Sequence, residues 1–287
     1  GYYTQDEVRD LVAYATARHI TVIPEIEMPG HSNEVLWAYP SLACEGKVHG
    51  QSDFCVGKDS TYQFLKDVLT EVMDLFPSSY IHIGGDEAER KTWETCTDCQ
   101  REMQANGLNT TAELQGHFTE KIEQFLNAHG RKLMGWDEIM EGKLAPNAAV
   151  MSWRGFEAGL EAARKGHAVV MTPGKYCYLD HYQDAPITQP NAQGGYVTLE
   201  KAYSYEPLPD SCRTPQTEAC VEGLQGNLWT EYVPTPQHLE YMLYPRALAL
   251  AEVGWTSGHR NYAKFRKRAL YAVDFLQQKG YHTFDLA

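Results

Sequence analysis

An alternation between two apolar periods is the feature that most constrains the fold of this chain. Segments with helical spacing, such as residues 11–19, precede short β-branched runs that end in Pro and Gly, such as "ITVIPEIEMPGH" at 20–31. Because helices that connect successive strands give a parallel sheet, the sequence predicts an α/β fold with about six β/α units in one domain over residues 1–287. The other strand segments are "YIHIGGDE", "RKLMGWDE", "AAVMSWRG", "HAVVMTPG" and "LQGNLWTE".

Every predicted strand ends in an acidic residue, an aromatic residue or both. In a parallel αβ barrel the carboxyl ends of the strands converge on one pocket, so the pattern predicts such a barrel with its chemistry there. A Tyr-, Gln-, Pro- and Gly-rich loop from about 181 to 215 is too long for a connector and is predicted to carry function. The strand-end residues are Glu25, Glu27, His31, Asp86, Glu87, Trp136, Asp137, Glu138, Trp153, Arg154, Tyr178, Asp180, Trp229 and Glu231.

Composition excludes several classes of protein. With 287 residues and 43% hydrophobic content, the chain can bury a substantial core. Its formal net charge of -13 argues against a nucleic-acid-binding protein, which needs clustered Lys and Arg residues. No apolar run is long enough to span a bilayer. The sequence begins without an initiator Met or a signal peptide, so we interpret it as a mature or excised segment.

Two adjacent acids, Asp86 and Glu87, follow the strand "YIHIGG" and allow two interpretations. Asp86 and Glu89 have the spacing of a helix capping box, in which Glu87 would only be an acid in the first helical turn. The alternative is a pair of catalytic carboxylates. A capping box explains one acidic strand end but not six, which favours the second interpretation.

Aromatic residues at the strand ends also have two interpretations. Trp136, Trp153 and Trp229 are either core residues or pocket walls, and His31 and His82 are either structural or functional. Polar residues follow each Trp at once, which favours pocket walls. The sequence has no Gly-rich phosphate loop with a Lys, whereas sugars stack on aromatic rings and bind acidic side chains. A sugar is therefore the favoured substrate class.

Seven cysteines leave the redox compartment open. Cys96 and Cys99 form a CxxC, but zinc needs further ligands at suitable spacing and none appears nearby, so no metal is predicted. Disulfides in an exported protein are the favoured interpretation, with Cys177 left as a free thiol. The remaining cysteines flank two loops, Cys44 with Cys55 and Cys212 with Cys220.

Six segments closely resemble, in order and spacing, the family 20 glycoside hydrolases, which are exo-acting β-N-acetylhexosaminidases. The resemblance covers nearly the whole chain, and the Asp-Glu pair after "HIGG" is its most specific part. It implies a retaining mechanism in which the 2-acetamido oxygen of the substrate, and no enzyme carboxylate, attacks the anomeric carbon. The segments are "IPEIEMPGHS", "IHIGGDEAER", "MGWDEIM", "MSWRG", "YLDHYQ" and "GNLWTEY".

The resemblance also implies roles for individual residues. Glu87 would be the general acid and then the general base, in a less solvated site, and Asp86 would stay ionised and orient the acetamido N–H. His31 would tune Glu87, and Tyr178 would donate to the acetamido carbonyl. The pocket would release terminal N-acetylglucosamine or N-acetylgalactosamine from glycans or chitin-type oligosaccharides, without a metal or organic cofactor. Trp136, Trp153 and Trp229 would wall the acetamide pocket, and Asp180 and Glu231 would bind distal hydroxyls.

The chain departs from the family in one respect. The resemblance implies a TIM-type (β/α)8 barrel, of which about six β/α units are present here. The first two strands of family members carry an Arg that clamps the sugar and an Asp that partners the histidine, and "GYYTQDEV" resembles the helix before the third strand. We therefore expect an N-terminally truncated barrel that is either an excised piece or is completed by another copy in a homo-oligomer. A non-catalytic sugar-binding module and a disaccharide or sulfated-sugar specificity remain alternatives. The expected location is secreted or periplasmic, or a lysosome-like compartment.

Overall fold

The computed structural model describes residues 1–256 and 258–286 of the chain. They form two compact units, Gly1–Val150 and Met151–Ala287. Five strands belong to one sheet in sequence order, β1-β2-β3-β4-β5. β1 pairs with β2 in parallel, with Tyr80 opposite Lys132, and β4 pairs with β5 in parallel. Among the described residues, no helix combines the length and apolar character that crossing a membrane requires.

The first unit alternates helices with strands. Its helices are α1 (Gln5–Thr16), α2 (Asn33–Ala38), α3 (Asp59–Leu75), α4 (Thr97–Asn106) and α5 (Thr111–Ala128). Its strands are β1 (Tyr80–His82) and β2 (Lys132–Trp136), and β3 (Ala149–Ser152) begins at its end.

The second unit continues the alternation with shorter elements. Its strands are β4 (Val169–Met171) and β5 (Val221–Leu224). Its helices are α6 (Glu157–Arg164), α7 (Gly174–Cys177), α8 (Leu199–Tyr203), α9 (Pro215–Cys220), α10 (Pro236–Leu243), α11 (Arg246–Trp255) and α12 (Tyr262–Gln278).

Helix α5 shows why the chain folds as its sequence predicts. Thr110 caps the helix by accepting from the backbone N–H of Glu113 at 3.1 Å, which satisfies one of the donors that a helix start leaves unpaired. Leu114, Phe118 and Ile122 recur every four residues on one face and are completely buried. The helix thus covers the sheet with one apolar stripe, which places β2 and its terminal Trp136.

The segment before β1 is the first predicted strand, and only one of its residues forms a ladder bridge. Glu25 pairs in parallel with His82, and the backbone N–H groups of Ile26 and Met28 donate to His82 and Ile83 at 2.9 Å. Pro24 and Pro29 lack N–H groups, so they shorten the ladder. Residues 1–256 and 258–286 therefore form five strands and one extended segment over residues 24–28, whereas the sequence predicts six strands.

Two other sequence-based predictions are wrong in their boundaries. The last strand lies at Val221–Leu224, upstream of most of "LQGNLWTE", and residue 227 only bridges to Tyr178. The predicted loop from 181 to 215 contains helix α8, whose start is capped by Thr198. Its hydroxyl accepts from the N–H of Lys201 at 3.1 Å, a local cap that a search for long apolar periods overlooks.

Buried Arg246 at the start of α11 organises the second unit. Its guanidinium donates to the backbone oxygens of Leu179, His181, Val197 and Met242, and its side chain has no solvent exposure. Burial lowers the pKa of Arg246 to about 9. Five fixed donors on one planar group allow a single residue to hold several loop carbonyls. Arg246 thereby fixes the chain immediately around Asp180.

Candidate active site

The two glycines after β1 leave space for a carboxyl group. A Cβ atom on Gly84 would lie 1.9 Å from Oε1 of Glu27, and both Gly84 and Gly85 have positive φ angles, of 67° and 93°. The N–H of Gly85 donates to the same Oε1 at 3.0 Å. Only glycine combines this backbone conformation with this close approach. The "GG" of the sequence is therefore the cradle of Glu27.

Glu27 and Asp86 form a partly buried carboxyl pair. Burial and the charge of Asp86 raise the pKa of Glu27 to about 10, so Glu27 is protonated at neutral pH. Burial also raises the pKa of Asp86, while His31 and the hydrogen bond from Glu27 oppose that rise. At neutral pH the proton of this pair therefore lies on Glu27.

His31 joins Asp86 to Glu87. Its Nε2 lies 3.3 Å from Oδ2 of Asp86 and 3.2 Å from Oε2 of Glu87. Both His31 and Glu87 have left-handed backbones, with φ angles of 46° and 49°. Such angles are uncommon for residues with a side chain and are often found at functional sites. The structure thus brings together His31, Asp86 and Glu87, three of the residues that the sequence predicts to be catalytic.

Glu87 is more exposed than the sequence predicts. Its side chain is 59% exposed, whereas that of Asp86 is 17% exposed. The expectation that Glu87 occupies the less solvated site is wrong in this structure, in which Asp86, and not Glu87, interacts with the partly buried Glu27. The capping-box interpretation is also wrong, since no helix begins at Asp86 and residues 84–90 are irregular.

Trp136 lies beneath this site in the first unit. The indole Nε1 donates to Oε1 of Glu25 at 2.8 Å, and the ring meets His82 edge-on, with ring centres 4.9 Å apart. Nδ1 of His82 is 3.3 Å from the same Glu25 oxygen. Burial alone would raise the pKa of Glu25, but His82 and Trp136 outweigh it and lower the pKa. Trp136 is almost completely buried.

Glu27, Glu25 and His82 are the residues of this site that sequence reasoning did not assign. The sequence identifies Glu25 and Glu27 only as strand-end acids, and it leaves His82 as either structural or functional. The available signal was the Glu-x-Glu spacing, because alternate residues of an extended segment face the same side. Both carboxyls lie within 4.8 Å of that of Asp86.

The second unit holds a pair of aromatic side chains. Trp153 follows β3 and Tyr178 follows α7, and their rings stack with centres 6.1 Å apart at 28°. Tyr178 bridges in parallel to Asn227, and the N–H of Leu179 donates to the carbonyl of Asn227 at 2.6 Å. The chain around Tyr178 is therefore fixed by backbone hydrogen bonds. Arg154, next to Trp153, is exposed.

Asp180 is the most unusual acid of the second unit. Its side chain is 1% exposed, and among the described residues neither carboxylate oxygen has a hydrogen-bond partner. Burial and the charge of Glu231 raise its pKa to about 6, with Arg246 opposing the rise. Two unpaired acceptors on a buried carboxylate are what a ligand with hydroxyl donors would satisfy. Glu231 and Trp229 lie after β5 and are exposed.

The cysteine prediction needs correction. All seven cysteines are free thiols in this structure, so the expected disulfides are not formed. Cys177 is a free thiol as predicted. Burial raises its pKa, so it is an unreactive core residue at neutral pH.

Comparison with known proteins now decides the family. The model of the glycosyl hydrolase family 20 catalytic domain matches residues 1–258. The chain belongs to glycosyl hydrolase family 20. The predicted resemblance and the predicted fold class, an α/β barrel-type fold with incomplete strand number, are both confirmed.

Relatives of this family 20 chain are hexosaminidases. It is 48% identical to a beta-hexosaminidase of Porphyromonas gingivalis over 98% of this chain and 38% of the relative. It resembles the GH20 exo beta-N-acetylglucosaminidase of Vibrio harveyi, solved in complex with N-acetylglucosamine, with a TM-score of 0.90 and 34% identity over 99% of this chain and 46% of that chain. The beta-N-acetylhexosaminidase of Bacteroides fragilis matches with a TM-score of 0.87, 33% identity and coverage of 99% and 58%. The family 20 chain thus spans between about two fifths and three fifths of the length of these relatives.

Proposed function

We propose that this family 20 chain carries the active site of an exo-acting, retaining β-N-acetylhexosaminidase. Its substrates are terminal N-acetylglucosamine and N-acetylgalactosamine residues of glycans or chitin-type oligosaccharides. The observation that carries the proposal is the cluster of His31, Asp86 and Glu87 above a protonated Glu27. The names of its relatives, including an enzyme bound to N-acetylglucosamine, support the same activity.

Asp86 is the orienting group of the reaction. As the charged member of the carboxyl pair, it accepts a hydrogen bond from the acetamido N–H and directs the acetamido oxygen toward the anomeric carbon. Positive charge then develops on the acetamido group, and a partly buried carboxylate stabilises it strongly because little water screens the interaction. Glu27 supports this role by holding its proton, since two ionised carboxyls at this distance would repel.

Glu87 moves the protons. As the acetamido oxygen bonds to the anomeric carbon, the glycosidic bond breaks and Glu87 gives its proton to the departing oxygen. The Glu87 carboxylate then takes a proton from water, whose oxygen displaces the acetamido oxygen and restores the sugar. Nε2 of His31, 3.2 Å away, orients the Glu87 side chain. An exposed Glu87 suits this double role, because the leaving group and the water both approach from solvent.

The second unit supplies sugar contacts in this proposal. Tyr178 donates its hydroxyl to the acetamido carbonyl, and Trp153 stacks beside it. Asp180 accepts hydrogen bonds from distal hydroxyls with its two unpaired oxygens, and Glu231 binds beside it. Trp136 and Trp229 have sugar-contacting roles in this proposal, as the family resemblance implies.

The first prediction tests Glu87 directly. Replacing it in Glu87→Gln removes the proton donor while keeping the size of the side chain, so the initial rate of nitrophenol release from an aryl β-N-acetylglucosaminide should fall at least about 100-fold. Binding of N-acetylglucosamine, measured by titration calorimetry, should change little. Glu89→Gln is the matched control, because Glu89 is an exposed acid in the same loop and should keep its rate.

Two outcomes would contradict the assignment. Equal turnover by the chain and its Glu87→Gln variant would place the chemistry on another residue. Binding of N-acetylglucosamine by the unaltered chain without turnover would favour the alternative, a sugar-binding module that lacks transition-state stabilisation.

The proposal extends to location and assembly. We propose an exported protein, secreted or periplasmic or in a lysosome-like compartment, because the substrate class is found on extracellular and surface glycans. The cysteines do not support this location, since none is paired. We further propose that copies of the chain associate through the exposed apolar surface at the start of the first unit, which includes Ile20 and Ile23. One domain over residues 1–287 also remains our proposal.

A further inference from the structure

Four cysteines of the first unit meet at one point outside the active site. This cysteine cluster is made up of Cys44, Cys55, Cys96 and Cys99, and each of the four side chains is at most 2% exposed. The Sγ atom of Cys55 is 3.6 Å from that of Cys96 and 3.7 Å from that of Cys99, and Cys44 is 3.8 Å from Cys99. All four Sγ atoms lie within 4.8 Å of one another.

These distances match a tetrahedral metal site. With Zn–S bonds of about 2.3 Å, the edges of a regular S₄ tetrahedron are about 3.8 Å long. Sulfurs in a disulfide are about 2.0 Å apart and pair exclusively, whereas Cys55 is almost equally distant from two sulfurs. The arrangement is therefore that of four ligands around a common centre.

The local backbone is built to hold the ligands in place. Cys96 is the N-cap residue of α4, and Cys99 lies in the first turn of this helix. The start of α4 therefore fixes the backbone of the CxxC pair. A Cβ atom on Gly57 would lie 2.4 Å from the backbone N of Cys99, which shows how closely the loop after Cys55 packs on this turn.

Cys44 is fixed by a side-chain amide instead. Its N–H donates to Oε1 of Gln51 at 3.1 Å, and Nε2 of Gln51 donates to its carbonyl at 3.2 Å. The ammonium of Lys58 donates to the carbonyl of Ala43, immediately before Cys44. A cation there is favourable because zinc with four thiolates carries two negative charges. Such secondary contacts orient the ligands of structural metal sites.

We propose that the cysteine cluster binds one Zn²⁺ ion as a structural tetrathiolate site. Binding converts the four thiols to thiolates and releases their protons to solvent. Tetrahedral S₄ coordination selects zinc or iron, and zinc needs no redox partner. The site replaces the prediction from sequence that the chain holds no metal, because the fold supplies the second pair of ligands.

The site would also stabilise the catalytic cluster. The loop between Cys44 and Cys55 forms hydrogen bonds with the chain on both sides of the catalytic cluster. The N–H of Phe54 donates to the carbonyl of Pro29 at 2.9 Å, and the N–H of Arg90 donates to Oδ2 of Asp53 at 2.7 Å. Pro29 is two residues before His31, and Arg90 is three after Glu87. Zinc would thus tie this loop to α4 and fix both segments.

Metal analysis of the unaltered chain tests the proposal. Protein expressed with added zinc and purified under reducing conditions without chelators should contain about one zinc per chain by plasma mass spectrometry. A mercurial thiol reagent should release that zinc in proportion to the thiols it modifies. Cobalt added to the metal-free chain should show the absorption of tetrahedral thiolate coordination.

Variants locate the site. Cys44→Ser and Cys99→Ser should each lower the zinc content at least about tenfold. Cys177→Ser should keep it, because Cys177 is equally buried but belongs to the second unit. Three results for the wild-type chain would each overturn the proposal. The first is a zinc-free chain with four reduced thiols, the second is a mass lowered by the four hydrogens that two disulfides remove, and the third is iron in place of zinc. The wild-type measurement decides the matter even where a variant fails to fold, and it does not depend on hydrolase activity.

Discussion

Glu27 occupies the space beside Gly84 and shares one proton with Asp86. This arrangement gives the two carboxyl groups different functions, since Glu27 holds the proton while Asp86 contacts His31. Glu27 stays neutral at neutral pH in its partly buried position, where an ion would be costly, and Oδ2 of Asp86 lies 3.3 Å from Nε2 of His31. The proton on Glu27 therefore sets the charge of the site before any substrate arrives.

This proton predicts a pH dependence of stability. Glu27 ionises near 4.5 in the unfolded chain and near 10 in the folded protein, so between these values the folded state binds more protons. The free energy of unfolding should therefore fall as pH rises through this window, by at most about 1.4 kcal/mol per pH unit. Glu27→Gln removes this component, so its stability relative to the wild type should increase with pH in urea unfolding experiments.

Glu25→Gln is the control for this measurement. Hydrogen bonds lower the pKa of Glu25, so its contribution is present above 4.5 and is lost as pH falls. Its effect should thus be confined to acidic pH. Wild-type and Glu27→Gln stability curves that stay parallel from pH 4.5 to 10 would show that Glu27 is ionised in the folded protein.

The residue scale also shows the limits of sequence reasoning. Asp86 and Glu87 are recognisable because adjacent acids after a strand and two glycines are rare. The protonation of Glu27 could not be predicted, since it depends on how deeply the carboxyl lies against Gly84 and on the distance to Asp86. The exposure of Glu87 and its positive φ are visible only in the folded chain.

At the scale of elements, the turn after β1 is where the backbone is most constrained. Gly84 and Gly107 have nearly equal φ angles, of 67° and 65°, but only Gly84 has a neighbour in the way. Gly107→Ala should cost about 1–2 kcal/mol for the left-handed backbone alone. Gly84→Ala should cost a further ~1–3 kcal/mol, because the new methyl group displaces Glu27.

Urea unfolding midpoints of the two variants measure this difference. Equal losses for Gly84→Ala and Gly107→Ala would mean that the Glu27 side chain moves aside freely. In that event the carboxyl pair would not be held by the turn, and the account of the two glycines given above would be wrong.

The elements were predictable where periodicity is long. The stripe of α5 and the parallel strands follow from apolar spacing, whereas the segment over 24–28 reads as a strand although its prolines restrict pairing. The cysteine cluster was not predictable in the same way. Its two members outside the CxxC are eleven residues apart in a loop, and only the folded chain brings them to Cys96 and Cys99.

For the whole molecule, the alternation of helices and strands was enough to predict the fold class and, with the motifs, the family. The sequence predicts one strand too many, because Pro24 and Pro29 lack the N–H groups that a full strand ladder at residues 24–28 would need. Assembly is a separate matter, because the segment that contains Ile20 and Ile23 predicts a strand, and the exposure of these two side chains is visible only in the folded chain.

These side chains predict self-association. Ile20 and Ile23 are 56% and 41% exposed and adjoin the segment that hydrogen-bonds to β1. Contact with a second copy would remove this apolar surface from water, so light scattering should give a mass above that of one chain. Ile23→Lys should lower that mass, while Tyr271→Lys, at an exposed position on α12, should not. The mass of a single chain at all concentrations would contradict the proposal.

The left-handed backbones of His31 and Glu87 have a consequence for engineering. Glycine or asparagine at either position would relieve backbone strain, so a library ranked by heat resistance alone would enrich variants that have lost these side chains. Selection for thermal stability would therefore oppose selection for the proposed catalytic roles of these two residues. Any programme that seeks a more robust form of this protein should hold both positions fixed and vary the rest.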